Sequence, residues 1–433
     1  MVYVYLILNI LYIMFSIKFY KNKINPISIY SVVWTFMTIL YELKLVYYYD
    51  LTLLTWLIII VFQIAYNFGC IVGKTMSIYT KRYNIKSHNN INITNVKHKK
   101  DLKRMIIILS LLASISTISN LSIAIKKYGI NLLKYTNQLY AARLAGDIDS
   151  GIPYLGIFVY PALIYAGIYF VKFNYNKIIL LPIIISALGE LKSGGRLNFI
   201  TGAFLFLIPI IFSKYDIKNI IVENLKKKSN KAQYIKILFS LSIFIILFII
   251  ITRNRSTWIT YNAYMSPLMI KLMDISPTIY KNYVYITSPL GVLNEFLKDP
   301  TFNFGGHTFL TIYNFLNKFG ADIPVKQYQT FYNIPISSNV GTYIRELIED
   351  FTIPLGIMVT IFTGMIFSFN YSKFRKTGSY LNLIWASTFA FVIFFSFFMW
   401  HFRSSSMWIT LVVGTISGII LDKSYTVKLK RNK

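Results

Sequence analysis

The sequence predicts an all-α integral membrane protein of about eleven transmembrane helices, with one large extracytoplasmic loop that contains short amphipathic helices. Three observations predict it. Of the 433 residues, 55% are hydrophobic and 17% aromatic, against about 45–50% apolar for a soluble domain. The apolar residues fall in runs close to the roughly 20 residues that a helix needs to cross the hydrocarbon core. The Lys and Arg lie in short clusters between those runs.

The candidate spans, in order, are roughly 2–17, 27–47, 51–73, 105–125, 152–171, 177–190, 197–213, 237–252, 353–369, 380–400 and 404–421. The first lacks the basic start and small-residue cleavage site of a signal peptide, so it reads as a retained span. The sixth is short. Cytoplasmic connections are enriched in Lys and Arg, which sets the orientation. With the amino terminus outside, the inside-facing connections are 18–26, 74–104, 172–176, 214–236, 370–379 and 422–433, and they and their edges hold 29 of the 45 basic residues. The carboxyl terminus is then cytoplasmic, and the large outer loop is 253–352. Smaller outer pieces lie at 126–151, 191–196 and 401–403. The whole chain reads as one polytopic membrane domain.

Composition also excludes functions. The net charge of +29 suggests nucleic acid only where it forms a basic face on a folded domain. Here it sits in runs such as "ENLKKKSNK" and "KHKKDLKR", which read as topology signals that also touch anionic lipid. Cys70 is the only cysteine, so no intrachain disulfide and no cysteine-based metal site can form.

Charge at bilayer depth is expensive and marks function, so the outer-edge charges are the candidates. "GELKSGGRLNFITG", 189–202, opens the seventh span with Arg196 in the first turn of a helix whose amino terminus faces out. A cation there opposes the helix dipole but suits an anion bound to the free N–H groups; the plain alternative is an arginine snorkelling to headgroups. "ITRNRSTW", 251–258, places Arg253 and Arg255 at the outer end of the eighth span, where a capping role serves either one alone. Arg403 in "WHFRSS" adds a fourth arginine, at a third outer helix end. Guanidinium forks bind phosphate oxygens bidentately.

Within the loop, Leu290, Leu293, Phe296 and Leu297 share one helical face, as do Phe309, Ile312, Phe315 and Leu316. Both segments read as short amphipathic helices lying on the membrane or capping a cavity, with Pro289 near one start and Gly305–Gly306 before the other. His307 follows those glycines; with His401 it is one of two outward-facing histidines, and its ordinary pKa suits a base. "NVGTYIRELIEDFTIPLG", 339–356, begins with Asn339. A helix over 339–351 sets Arg345 over Glu349 and Glu346 over Asp350, a spacing that serves a surface helix equally well. Tyr283, Tyr285, Tyr328 and Tyr332 can stack on sugar rings, although tyrosine at a membrane interface is ordinary.

These stretches together, "GGR" opening a span, "TRNR" closing one, then "YITSPLGVLNEF", "GGHTF" and "NVGTYIRELIEDFTIPLG", resemble the Wzy-type oligosaccharide repeat unit polymerases, relatives of the O-antigen polymerase and ligase enzymes. The family's pattern ends in Asp-Phe-Gly; this chain has Asp350-Phe351-Thr352, which puts the local turn in question. The resemblance implies a GT-C-like membrane glycosyltransferase of the bacterial cytoplasmic membrane, inverting and independent of metal or other cofactor. Undecaprenyl-pyrophosphate-linked oligosaccharide is the implied donor and acceptor, with a chain-length regulator and a flippase as partners. On this resemblance Arg196, Arg253 and Arg255 hold pyrophosphate, Arg345 and Asp350 shape the acceptor side, and Arg403 and Asn339 join the substrate-binding set. Asp350, Glu346 and His307, in that order, are the candidates for the proton acceptor. Two alternatives stay open, a ligase of the same superfamily and a flippase for the lipid-linked unit, although transporters usually carry repeated halves and midplane charge.

Overall fold

A computed structural model of the protein describes residues 1–80, 91–144, 152, 154–191, 197–214, 242, 249–250, 263–325 and 329–431. The described residues are predominantly helical. Their only strands are a two-residue antiparallel ribbon, Tyr332–Asn333 with Ser337–Ser338.

The α-helices of the described residues are α1 Val2–Tyr20, α2 Pro26–Glu42, α3 Leu53–Tyr79, α4 Ile91–Tyr128, α5 Thr136–Leu144, α6 Val159–Phe173, α7 Leu180–Leu191, α8 Leu197–Lys214, α9 Pro267–Ile275, α10 Pro277–Phe296, α11 Leu310–Asn317, α12 Tyr343–Thr377, α13 Tyr380–Phe394 and α14 Ser405–Arg431. Six described helices are long and apolar enough to cross a membrane: Val2–Tyr20, Leu53–Tyr79, His98–Tyr128, Leu155–Phe173, Tyr343–Thr377 and Ser405–Ser424. Of the expected spans, the eighth, 237–252, lies almost wholly outside the described residues. The sixth and seventh are short apolar helices. The tenth is shorter than expected, because α13 stops at Phe394 and residues 395–398 turn.

Helix starts follow local chemistry. Asn25 caps α2 by accepting the Ser28 N–H, Ser28 returns a bond to the Asn25 N–H, and Pro26 occupies the first turn; together they satisfy two orphan donors. Thr52 caps α3 and Ser266 caps α9 in the same way.

Two compact units divide the chain. The first comprises Met1–Thr80, Trp258–Ser372 and Val392–Trp408. In it Gly69 and Gly73 of α3 meet α12 so closely that a Cβ on either would lie 2.0 or 2.1 Å from the carbonyl oxygens of Ile361 and Met365. Gly364 answers from α12, where a Cβ would lie 2.3 Å from the Tyr66 carbonyl oxygen. Small residues let helix backbones approach where lipid supplies no hydrophobic drive. Tyr30, Trp34 and Tyr66 stack beside this crossing, and the Tyr30 and Tyr343 hydroxyls stand 3.0 Å apart.

The second unit comprises Lys81–Thr257, Lys373–Phe391 and Ile409–Lys433. Asp422 accepts from the N–H groups of Tyr380 and Leu381 and from the Ser379 hydroxyl, capping the start of α13. Tyr165 and Ser417 join α6 to α14 by a 2.9 Å hydrogen bond.

The outer-loop expectations divide. Leu290, Leu293 and Phe296 are fully buried, so their helical face is core and does not lie on a membrane surface. Pro289 stands inside the 20-residue α10, not near its start. The second segment behaves as expected at its boundary: Gly305 takes φ +79 in the turn before α11. Ile312, Phe315 and Leu316 of α11 are exposed.

Candidate functional site

The site forms where α12 breaks. Thr352 has φ 66 and ψ 172, a region almost confined to glycine, so the helix that begins at Tyr343 ends there and restarts toward Pro354. The break leaves carbonyls near the end of the first segment without intrahelical partners. The "FNFGG" segment takes two of them: Asn303 donates its N–H to the Glu349 carbonyl at 2.6 Å, and Gly305 donates to the Asp350 carbonyl at 3.0 Å. Gly305 and Gly306 fit this turn because a Cβ on either would lie within 3 Å of Phe309 or Asn303.

This contact brings "GGHTF" onto the acidic helix. The Asp350 carboxylate accepts the His307 N–H at 2.8 Å, the Thr308 N–H at 2.7 Å and the Thr308 hydroxyl at 2.6 Å. His307 Nε2 stands 3.1 Å from Glu349 Oε2, off the line of an ideal hydrogen bond, and both side chains are almost fully buried. Its Nδ1 has no hydrogen-bond partner among the described residues. Burial pulls the imidazole pKa down, but the Glu349 contact and the charges of Glu346 and Asp350 outweigh it, and the net displacement is upward.

A third segment arrives after the early end of α13. Trp400 donates its N–H to Glu346 Oε2 at 2.5 Å and its indole N–H to the Thr308 hydroxyl at 3.0 Å. Arg403 Nη1 reaches Glu346 Oε1 at 3.0 Å. Glu346 thus holds Arg403 while Trp400 ties Glu346 to Thr308 and, through it, to Asp350.

Arg345 is fully buried. Its Nη1 and Nη2 donate to the carbonyls of Asn339 and Thr330 at 3.3 Å, its Nε lies 3.6 Å from Glu349 Oε2, and its guanidinium sits 5.0 Å from the Tyr332 ring centre. It fastens the strand ribbon and Asn339 to α12. The surface-helix alternative for this stretch fails: Arg345, Glu346, Glu349 and Asp350 are all at most 1% exposed. The spacing is right, but Glu346 and Asp350 use it to face different partners.

Beside this cluster lies a cavity of about 370 Å³, lined by Leu310, Gln329, Asn339, Val340, Phe398, Met399, Arg403 and Ser404. The volume is within the range of small-molecule sites. Gln329 Oε1 accepts the Gly341 N–H at 3.2 Å.

Of the residues picked from the sequence, the structure thus brings together His307, Asn339, Arg345, Glu346, Asp350 and Arg403. Arg196, Arg253, Arg255 and Tyr328 lie outside the described residues. Tyr283 is structural: its hydroxyl bonds the Leu45 N–H and the Leu40 carbonyl. The sequence reading missed Trp400, Thr308 and Gln329. The first two adjoin His401 and His307, so the signal was adjacency; nothing in the sequence marks Gln329. Among the described residues no group of three or more His, Cys, Asp or Glu could hold a metal ion.

No protein-family model, no curated protein and no solved structure matches the chain.

Proposed function

We propose that the chain is a membrane polymerase of lipid-linked oligosaccharide repeat units, built on a GT-C-like arrangement of about eleven spans and working at the outer face of a bacterial cytoplasmic membrane. In this reading the bond from the anomeric carbon of the growing chain to its undecaprenyl pyrophosphate breaks. A new bond forms from that carbon to a hydroxyl of the incoming unit, with inversion. The hydroxyl proton passes to a base, and lipid pyrophosphate leaves.

The observation that supports the reading is convergence. Three stretches singled out in the sequence, "GGHTF", "YIRELIEDF" and "WHFRSS", meet in one buried charged cluster beside a cavity. The six helices among the described residues that are long and apolar enough to cross a membrane suit a lipid-borne substrate.

Geometry reorders the candidates for the base. The Asp350 oxygens are committed to the 307–308 turn, and those of Glu346 to Trp400 and Arg403. His307 has a carboxylate behind Nε2 and an unengaged Nδ1, the arrangement of an oriented general base. Its main-chain carbonyl accepts the N–H of Leu310, a residue of the cavity wall, at 3.4 Å. We assign the proton to His307, the orientation of its turn to Asp350, and the cavity contacts to Arg403 and Asn339. Arg196, Arg253 and Arg255 retain the pyrophosphate role that the resemblance implies.

The test is a product-sizing assay. Purified protein in lipid receives lipid-linked oligosaccharide extracted from cells lacking the chain, in which that substrate accumulates. The reading expects a ladder of whole repeat units that Arg403→Ala and His307→Ala abolish. Products of a single size attached to a different acceptor would indicate a ligase instead.

A further inference from the structure

Resting on the polymerase reading, we infer that the cavity lined by Asn339, Gln329, Arg403 and Ser404 is a subsite for the neutral, hydroxyl-bearing saccharide of the incoming unit, and that it does not hold pyrophosphate.

Arg403 is the one cation among the described lining residues, and Glu346 already engages it at 3.0 Å. Behind the wall no positive charge is in surplus: the guanidinium groups of Arg345 and Arg403 face the carboxylates of Glu346, Glu349 and Asp350. A pyrophosphate held there meets no surplus positive charge to offset its own, and the Glu346 carboxylate beside Arg403 opposes it. A sugar has different needs. Its hydroxyls both donate and accept, and its ring carries an apolar face.

The lining supplies both. Side-chain amides carry donors and an acceptor, whereas the Ser404 hydroxyl is taken up by the Ser406 hydroxyl at 2.6 Å and the Ser406 N–H at 3.3 Å. Gln329 spends its Oε1 on the Gly341 N–H, which leaves its amide N–H groups as donors. Asn339 is fixed through its main-chain carbonyl by Arg345 at 3.3 Å, so its place at the wall does not draw on its side-chain amide. Phe398, Leu310, Val340 and Met399 form the apolar part of the wall. A few placed polar groups on a mostly apolar lining are the usual composition of a neutral-ligand site.

The experiment separates the two chemistries. The oligosaccharide freed from its lipid by mild acid carries no phosphate, and inorganic pyrophosphate carries no sugar; each is titrated calorimetrically into the purified protein in lipid. The inference expects the free oligosaccharide to bind, Asn339→Leu and Gln329→Leu each to weaken it by about tenfold, the loss of one hydrogen bond, and pyrophosphate affinity to stay unchanged in both. Asn339→Ser, which keeps a hydroxyl, regains part of the loss, and the unchanged pyrophosphate affinity reports an intact fold. Absence of oligosaccharide binding, or pyrophosphate affinity that falls in these variants while oligosaccharide affinity does not, overturns the inference. Oligosaccharide binding that depends on Asn339 in a protein that forms no polymer removes the polymerase reading and leaves the saccharide subsite standing. Polymer formation with no oligosaccharide binding does the reverse.

Discussion

Asp350 and Thr308 are joined twice, the carboxylate accepting both the N–H and the hydroxyl of the threonine, at 2.7 and 2.6 Å. With the His307 N–H on the other oxygen, the side chain of one helix holds the shape of a turn some forty residues earlier. Replacing Asp350 with Asn puts an amide donor where a second acceptor is needed. We expect a loss of about 2–3 kcal/mol, the cost of a charged buried acceptor removed. Thr308→Val costs about 1 kcal/mol, and the double variant less than the sum because the two share partners. Thermal unfolding in detergent measures all three.

Thr352 sits at φ 66, ψ 172, where a side chain costs about 1–3 kcal/mol. The backbone here has the conformation that a glycine would give at the third position of Asp-Phe-Gly, and the threonine bears the strain. Thr352→Gly therefore raises the melting temperature, with a net gain of about 1 kcal/mol after the extra chain entropy of glycine. An unchanged or lower melting temperature would mean that the Thr352 side chain is held by contacts that offset the strain.

His307 carries a pH dependence. Its folded pKa lies above the ordinary value of about 6.5, so the stabilisation is fully present below about pH 6.5 and is lost as pH rises through the raised folded value. Melting temperature should fall with rising pH across that window. His307→Gln flattens the slope. Glu349→Gln, which removes the principal group raising the pKa, moves the window down.

At the crossing of α3 and α12, Gly69 has no room for a side chain, since its Cβ would stand 2.0 Å from the Ile361 carbonyl oxygen. Gly69→Leu must push the helices apart, at about 2–3 kcal/mol or more, and displaces the part of α12 that follows the break at Thr352. Gly378, whose Cβ would meet nothing, offers the contrast: Gly378→Asn, a residue that tolerates a positive φ, leaves stability within about 0.5 kcal/mol. Melting curves of the two variants decide it.

Much of this was legible in the chain. The glycine pair before His307 marks a turn. The Thr-Ile-Pro of 352–354 divides the charged helix from the span, where the break does fall. What could not be read was burial. An i,i+4 pattern of Arg345 with Glu349 looks the same on a surface as in a core, and only the arrival of Trp400 and Arg403 distinguishes them. That arrival depends on residues 395–400 leaving the helix, and "FSFFMW" is apolar enough to read as its continuation. Leu290, Leu293 and Phe296 pose the same difficulty, because periodicity identifies an apolar face without saying whether protein or lipid covers it.

The most direct test of the account is the release of undecaprenyl pyrophosphate by the purified protein, followed together with product length. The account predicts one lipid pyrophosphate freed for each repeat unit joined, with both lost in Arg403→Ala. Movement of the intact lipid-linked unit across vesicles, with no pyrophosphate freed, would contradict it and leave the buried cluster as part of a transporter.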